Sequence, residues 1–281
     1  MHEVHLSQGT IDYREDGTGE PLLFVHGVLV DGDLWRGVVP RLAKDFRCIV
    51  PDWPFGSHRT PLAPDADLSP PALARMVVDF MDALGLESAT LVGNDTGGAI
   101  CQLVATEHPD RVSRLVLTSC DVYDRFPPPP FKPLGPITKI PGSVWLIAQS
   151  LRPRLAQRLP IAFGWVTKKL PDKALADKWL TPVRTSRGVR RDVGKIFRAI
   201  DPRYTIEAAE KLERFDKPVL LAWATEDKLF PVEYARRLAA AVPDATLEEI
   251  PDSYTFVPHD QPERLAEVIA AFVRRPAAVS A

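Results

Sequence analysis

The sequence predicts an α/β architecture, a mostly parallel, doubly wound sheet interrupted by a helical insertion. Three observations carry that expectation. Short apolar runs alternate with amphipathic stretches in the first part of the chain and again near its end, the pattern of parallel strands joined by right-handed helical crossovers. One strand turns directly into a helix through Gly93-Asn94-Asp95-Thr96-Gly97. The alternation then stops at residues 126–133, a stiff polyproline segment unsuited to a core element.

Taken in order, residues 4–7 and 10–14 alternate like two antiparallel strands, and Asp16-Gly17-Thr18-Gly19 turns the chain. Residues 22–25 form a continuous apolar run, as expected of a strand covered on both faces, and lead into His26-Gly27-Val28. A helix is expected over 34–43 and a strand over 46–50, which delivers Asp52…Gly56-Ser57 to a loop. Ser69-Pro70-Pro71 opens a helix to Leu84, with proline in the first turn where its missing N–H is harmless. A strand at 89–92, a helix at 97–106 and a strand at 112–118 follow.

Residues 122–205 read as an inserted helical cap of short pieces separated by Pro141, Pro153, Pro160, Pro171 and Pro182, over a core made of 1–121 and 206–281. The sheet resumes at 218–224, and a helix at 232–242, a strand at 246–250 and a helix at 261–274 complete it. Residues 276–281 are expected to fray.

Net charge is −2 over 281 residues, which gives no support to nucleic-acid binding. The mean hides an asymmetry: residues 122–205 hold 17 Lys/Arg against 5 Asp/Glu, and the remainder 18 against 32. A basic surface docked on an acidic core explains this, and so does attraction of an anionic substrate or a membrane surface. Cys48, Cys101 and Cys120 show no paired spacing and fit a reducing compartment. Residues 1–5 carry no basic-then-apolar signal, and no apolar run reaches a membrane span. A cytoplasmic protein acting on a small molecule is expected. The six scattered histidines have no metal-ligand spacing, so neither metal nor organic cofactor is expected. Oligomeric state is not readable.

Asp95 holds the apex of the strand-to-helix turn, flanked two residues away by Gly93 and Gly97. Such a turn needs small flanking residues and pushes its central side chain out at the carboxyl end of the sheet. The N–H of Thr96 stands at a helix N-terminus, where an oxyanion is stabilised.

The chain resembles the α/β-hydrolase superfamily over essentially its whole length. The resemblance rests on the strand ending in His26-Gly27, the Asp52…Gly56-Ser57 loop, the turn at Asp95, the Asp227-x-x-x-Pro231 segment and Gln261-Pro262-Glu263. With aspartate at the turn it is most similar to the branch of haloalkane dehalogenases, haloacetate dehalogenases and epoxide hydrolases. That resemblance implies Asp95 as a nucleophile forming an alkyl ester, Asp227 as the acid partner of a histidine, and the Val28 and Thr96 N–H groups as the oxyanion hole. His26 reads as scaffold beside Gly27.

The histidine itself is displaced. Family members carry it where this chain has Thr255, and threonine cannot accept a proton near neutrality. His259, four residues on, is the only substitute nearby. The subtype markers are also missing: Thr96 stands where dehalogenases often place tryptophan, Val28 where they place asparagine, and no arginines follow Asp95. The only tyrosines of 122–205 are Tyr123 and Tyr204, at its edges.

The expected function is an Asp95-nucleophile hydrolase for a small or medium, partly apolar substrate, with an atypical or crippled hydrolytic step. Two alternatives stand beside it. In one, Asp95 is the general acid or base of a lyase, isomerase or cyclase; in the other, the protein is a catalytically silent binder.

Overall fold

The computed structural model describes residues 1–275. Its centre is one sheet of eight strands in the order β1-β2-β4-β3-β5-β6-β7-β8. Here β1 is His2–Leu6, β2 Gly9–Asp16, β3 Pro21–Val25, β4 Arg47–Pro51, β5 Ala89–Asp95, β6 Val112–Cys120, β7 Val219–Ala224 and β8 Ala245–Ile250. β1 and β2 pair antiparallel and β2 pairs antiparallel with β4; from β4 to β8 every pairing is parallel. The polarity follows from the connections. Tight turns join β1 to β2 and β2 to β3, whereas β4 to β8 are each reached by a long crossover.

The innermost strands read as apolar because both faces are covered. Leu22, Leu23, Phe24 and Val25 of β3, and Leu115, Val116 and Leu117 of β6, are all fully buried. Helix α1 (Pro70–Ala83) starts at Ser69 with prolines in its first turn and buries Leu73, Met76, Val77, Phe80 and Met81. Helix α2 (Thr96–Glu107) leaves β5 without an intervening loop and is buried along most of its length.

The helix expected over 34–43 is instead two short pieces, a 3-10 turn at Gly32–Trp35 and one α-turn at Val39–Leu42. Asp31 caps the first by accepting from the Asp33 N–H, and Pro40 can sit only in the first turn of the second. A one-turn helix at Val257–Asp260, just before the closing helix, was not expected. The expectation for 276–281 lies outside the described residues.

All structure between β6 and β7 is helical. One-turn pieces at Leu134–Ile137 and Arg154–Gln157 flank α3 (Ser143–Ser150). Longer helices α4 (Lys173–Thr185), α5 (Arg187–Ala199) and α6 (Pro202–Leu212) follow. Helix α6 runs through the 205/206 boundary set from sequence and packs on α2 of the sheet layer. Helices α7 (Val232–Ala241) and α8 (Pro262–Val273) complete the core.

Candidate active site

The site is built at the carboxyl end of β5. Asp95 ends that strand with φ 53° and ψ −132°, a left-handed conformation unfavourable for a residue with a Cβ. Backbone strain of this kind costs about 1–3 kcal/mol and persists only where its surroundings enforce it. The enforcement here is contact. A Cβ on Gly97 would lie 2.1 Å from the Val25 carbonyl oxygen, so only glycine lets α2 pack so close to β3. A Cβ on Gly27 would lie 2.1 Å from Asp95 Oδ2, so the carboxyl rests directly against the backbone that leads to Val28.

The Thr96 and Val28 N–H groups act on the Asp95 carboxylate and favour its charge. Burial outweighs them and, with the nearby Asp227 charge, pushes the group up to about 7. The arrangement seats one carboxyl oxygen where an oxyanion would be held and leaves an ionisable carboxyl at a cavity floor.

The cavity holds about 440 Å³. Val28, Asp95 and Thr96 form part of its lining, and most of the rest comes from prolines, aliphatics and phenylalanines of the helical insertion. Among the described residues, Asp95 and Asp121 are the only ionisable ones that line it, and Thr96, Thr138 and Ser150 supply its only hydroxyls. No lysine or arginine faces it, so the basic charge of the insertion is not directed at a bound anion.

Asp121 went unmarked in the sequence. It follows β6 directly, and β6 lies beside β5 in a register that pairs Asp95 with Cys120. Its side chain is buried; Oδ2 accepts from Thr96 Oγ1 at 3.3 Å, and Oδ1 has no partner. Burial first, and the Asp95 charge second, push its carboxyl well above the usual range, against the Thr96 hydroxyl. Its proton is therefore held more tightly than that of an ordinary carboxyl, beside Asp95. The signal available in the sequence was an acidic residue at the carboxyl end of the strand next to the turn, where ligands of such sheets bind.

The other expected residues cluster apart from the cavity. Asp227 Oδ1 accepts from the Leu229 N–H at 2.8 Å, the Phe230 N–H at 2.9 Å and Thr255 Oγ1 at 3.0 Å. Burial pushes Asp227 up to about 6, the two N–H groups and the Thr255 hydroxyl opposing. Thr255 is fully buried, and its carbonyl accepts from Asn94 Nδ2 at 2.7 Å, which ties that loop to β5. Threonine therefore occupies the place beside Asp227, and Asp227 Oδ2 is left without a donor.

His259 does not join the group. Its Nε2 lies 2.8 Å from the Lys169 carbonyl, its ring packs edge-on to Trp179, and it lines no part of the cavity. Burial lowers its affinity for a proton. His26 is buried beneath the oxyanion strand: Nε2 accepts from the Trp53 N–H at 2.8 Å, which leaves Nδ1 to donate to the Gly27 carbonyl, also at 2.8 Å. Burial drives it down to about 4, so it stays neutral and holds the turn. Tyr123 and Tyr204 are likewise absent from the cavity wall.

Comparison with known proteins places this architecture. Residues 20–144 match the family described as the alpha/beta hydrolase fold. Haloalkane dehalogenase 2 of Mycobacterium tuberculosis is 30% identical over 274 residues, covering 94% of this chain and 91% of that protein. The chain belongs to the α/β-hydrolase superfamily. A 2-hydroxy-6-oxo-6-phenylhexa-2,4-dienoate hydrolase of Burkholderia cepacia is 26% identical, over 89% of this chain and 86% of its own. Among solved structures, a loop variant of a haloalkane dehalogenase from Bradyrhizobium elkanii superposes with a TM-score of 0.80 at 19% identity, covering 97% of this chain and 95% of its own. With hydrolases matching it along nearly its full length, the α/β-hydrolase described here is an enzyme of hydrolase type, its subtype left open. No described helix is long and apolar enough to cross a membrane.

Proposed function

We propose that this α/β-hydrolase opens a small apolar epoxide, with Asp95 as nucleophile and Asp121 as the acid and then the base of the cycle. The observation that carries the reading is the pair itself, two carboxyls as the only ionisable groups that line an apolar cavity among the described residues. In this reading residues 122–205 form a cap that closes over a core of 1–121 and 206–281.

In the first step the ionised Asp95 oxygen attacks a ring carbon and the C–O bond breaks. Its electron pair goes to the oxygen, which takes the proton of Asp121. The product is a hydroxyalkyl ester of Asp95 and an Asp121 carboxylate, so the cavity holds one negative charge throughout. That conservation matters in a dry site, where a second charge would be costly.

In the second step Asp121, now a base, takes a proton from water as the water adds to the ester carbon. The negative oxygen formed there is stabilised by the Thr96 and Val28 N–H groups. Collapse releases the diol oxygen, which is protonated by Asp121, and the proton left on Asp95 then returns to Asp121. One group switching from acid to base is the logic of retaining two-carboxylate hydrolysis. It leaves Asp227 and Thr255 to hold the neighbouring loop.

Similarity to haloalkane dehalogenase 2 supports a carbon-centred displacement of the same kind. A second reading uses the same pair without a covalent bond: Asp95 as base and Asp121 as acid of an isomerase or lyase. The Asp95 pKa near neutrality favours it. Oxygen-18 water separates the two. The ester route puts solvent oxygen into the Asp95 carboxyl on the first turnover and into diol only on later ones. Label in diol from the first turnover, or product still free of solvent oxygen after many turnovers with an unlabelled Asp95, would reject the nucleophile.

A further inference from the structure

The helical insertion has two halves with opposite surfaces. In the second, some cations reach the core: Lys178 Nζ stands 2.9 Å from Asp31 and 2.5 Å from Asp33, and Lys195 Nζ donates to the Pro64 and Ala66 carbonyls, while others, such as Lys173 with Asp177, pair within the insertion. That half accounts for the docking of basic helices on an acidic core. The first half does something else. Residues 126–171 contain no Asp or Glu and seven Lys/Arg. Lys168 and Lys169 are engaged with Glu226, Asp252 and the Asp260 carbonyl. The other five (Lys132, Lys139, Arg152, Arg154 and Arg158) are exposed and, among the described residues, make no ion pair.

The same half carries most of the molecule's exposed large apolar side chains. Of eight among the described residues, six lie here: Ile140, Trp145, Leu146, Leu155, Leu159 and Ile161, with Leu155 77% exposed. Soluble proteins seldom leave such a concentration of apolar side chains in water without a use for it. The cavity, moreover, reaches the surface in this segment, since Pro133, Ser150 and Ile161 both line it and are exposed.

We infer that this face docks on an anionic lipid bilayer and that apolar substrate enters the cavity from the lipid. Protruding aliphatics and a tryptophan among unpaired cations are the composition of an interfacial surface. The absence of any acid along 126–171 matches a negatively charged headgroup layer. A protein partner would have to supply a pocket for each protruding side chain; a bilayer accepts them without one. The uncharged wall and two carboxyls of the cavity suit a neutral apolar substrate, and such molecules partition into membranes.

Sedimentation with vesicles tests this on the whole chain. We expect binding to phosphatidylcholine vesicles containing phosphatidylglycerol at low salt, weak binding to phosphatidylcholine alone, and loss of the difference as salt rises. The variant Arg152→Gln/Arg154→Gln/Arg158→Gln should partition on the order of 10²-fold less strongly, with its melting temperature kept. The variant Leu146→Ser/Leu155→Ser should lose binding at all salt concentrations. Absence of binding to the anionic vesicles, or equal binding to both kinds that the arginine variant leaves unchanged, would overturn the inference. So would a dimer by light scattering that the leucine variant dissolves, because a second copy would then be the occupant of this face.

Discussion

Two buried carboxyls stand near the carboxyl edge of the sheet, Asp227 beyond β7 and Asp121 beyond β6, and what surrounds each decides its use. Asp227 is enclosed. Three donors converge on its Oδ1, and it lies outside the cavity wall. Asp121 accepts one bond of 3.3 Å and lines the cavity, and its other oxygen has no partner among the described residues. Each keeps one oxygen without a donor. Of the two residues, only Asp121 lines the cavity. In the proposed cycle Asp121, and not Asp227, carries the proton chemistry.

Breaking the pair at Asp95 should have the largest effect. Asp95→Asn removes the attacking oxygen, and product formation should fall by roughly 10⁴-fold or more, as for loss of an essential catalytic group. Rates within tenfold of the native enzyme would remove the nucleophile from Asp95.

Changing the partner should discriminate between substrates. Asp121→Asn keeps a hydrogen-bond donor and loses the proton, so ester formation from an epoxide should slow by about 10²–10⁴-fold. Ester formation from a matched alkyl bromide, whose leaving group needs no proton, should change by less than roughly tenfold. The native pH profiles should differ in the same way. With an epoxide the rate rises as Asp95 ionises near 7 and falls where Asp121 ionises; with a bromide it rises and stays level. Equal losses for both substrates would make Asp121 structural.

On the other side of the comparison, Asp227→Asn preserves an acceptor for the Leu229 and Phe230 N–H groups, and its activity loss should stay within roughly tenfold. His259→Ala should also be nearly silent in the rate of ester release. Thr255→His, by contrast, should accelerate that release by restoring a base beside Asp227. Because it enlarges a fully buried side chain, it should also cost about 1–3 kcal/mol. A loss of several orders of magnitude on changing Asp227 or His259 would return the proton relay to them.

These assignments were only partly legible in the sequence. The order of apolar runs was enough to expect the sheet, and Gly93-Asn94-Asp95-Thr96-Gly97 to expect the turn, because both are set by neighbours in the chain. The single helix expected over 34–43 failed on Gly37 and Pro40, which divide it. Asp121 was missed for a different reason: its meaning depends on β6 lying beside β5, and on a cavity wall contributed by residues up to 135 positions further along. His259 was plausible by spacing alone, until the turn at Val257–Asp260 directed it to the Lys169 carbonyl.

The smallest expected effect is on stability. Asp95 and Asp227 have native pKa values raised above their unfolded ones. The folded state therefore binds more protons between about pH 4 and 7, and stability from these groups declines as pH rises through that window. Asp95→Asn removes one such group. It should raise the melting temperature at pH 8, where about 4 kcal/mol is at stake, and do little at pH 4.5. An equal gain at both would point to relief of backbone strain rather than of a buried charge.

The proposed role of Asp121 as acid and then base is tested most directly by intact mass. Native protein is mixed at pH 7 with a bromoalkane or with the epoxide of the same carbon chain. Bromide leaves as an anion, so Asp121 keeps its proton and no base is formed; the alkyl ester on Asp95 should accumulate and persist. The epoxide consumes that proton and creates the base, so diol should be released with little ester remaining. Persistent esters from both reagents, or rapid release from both, would contradict the account.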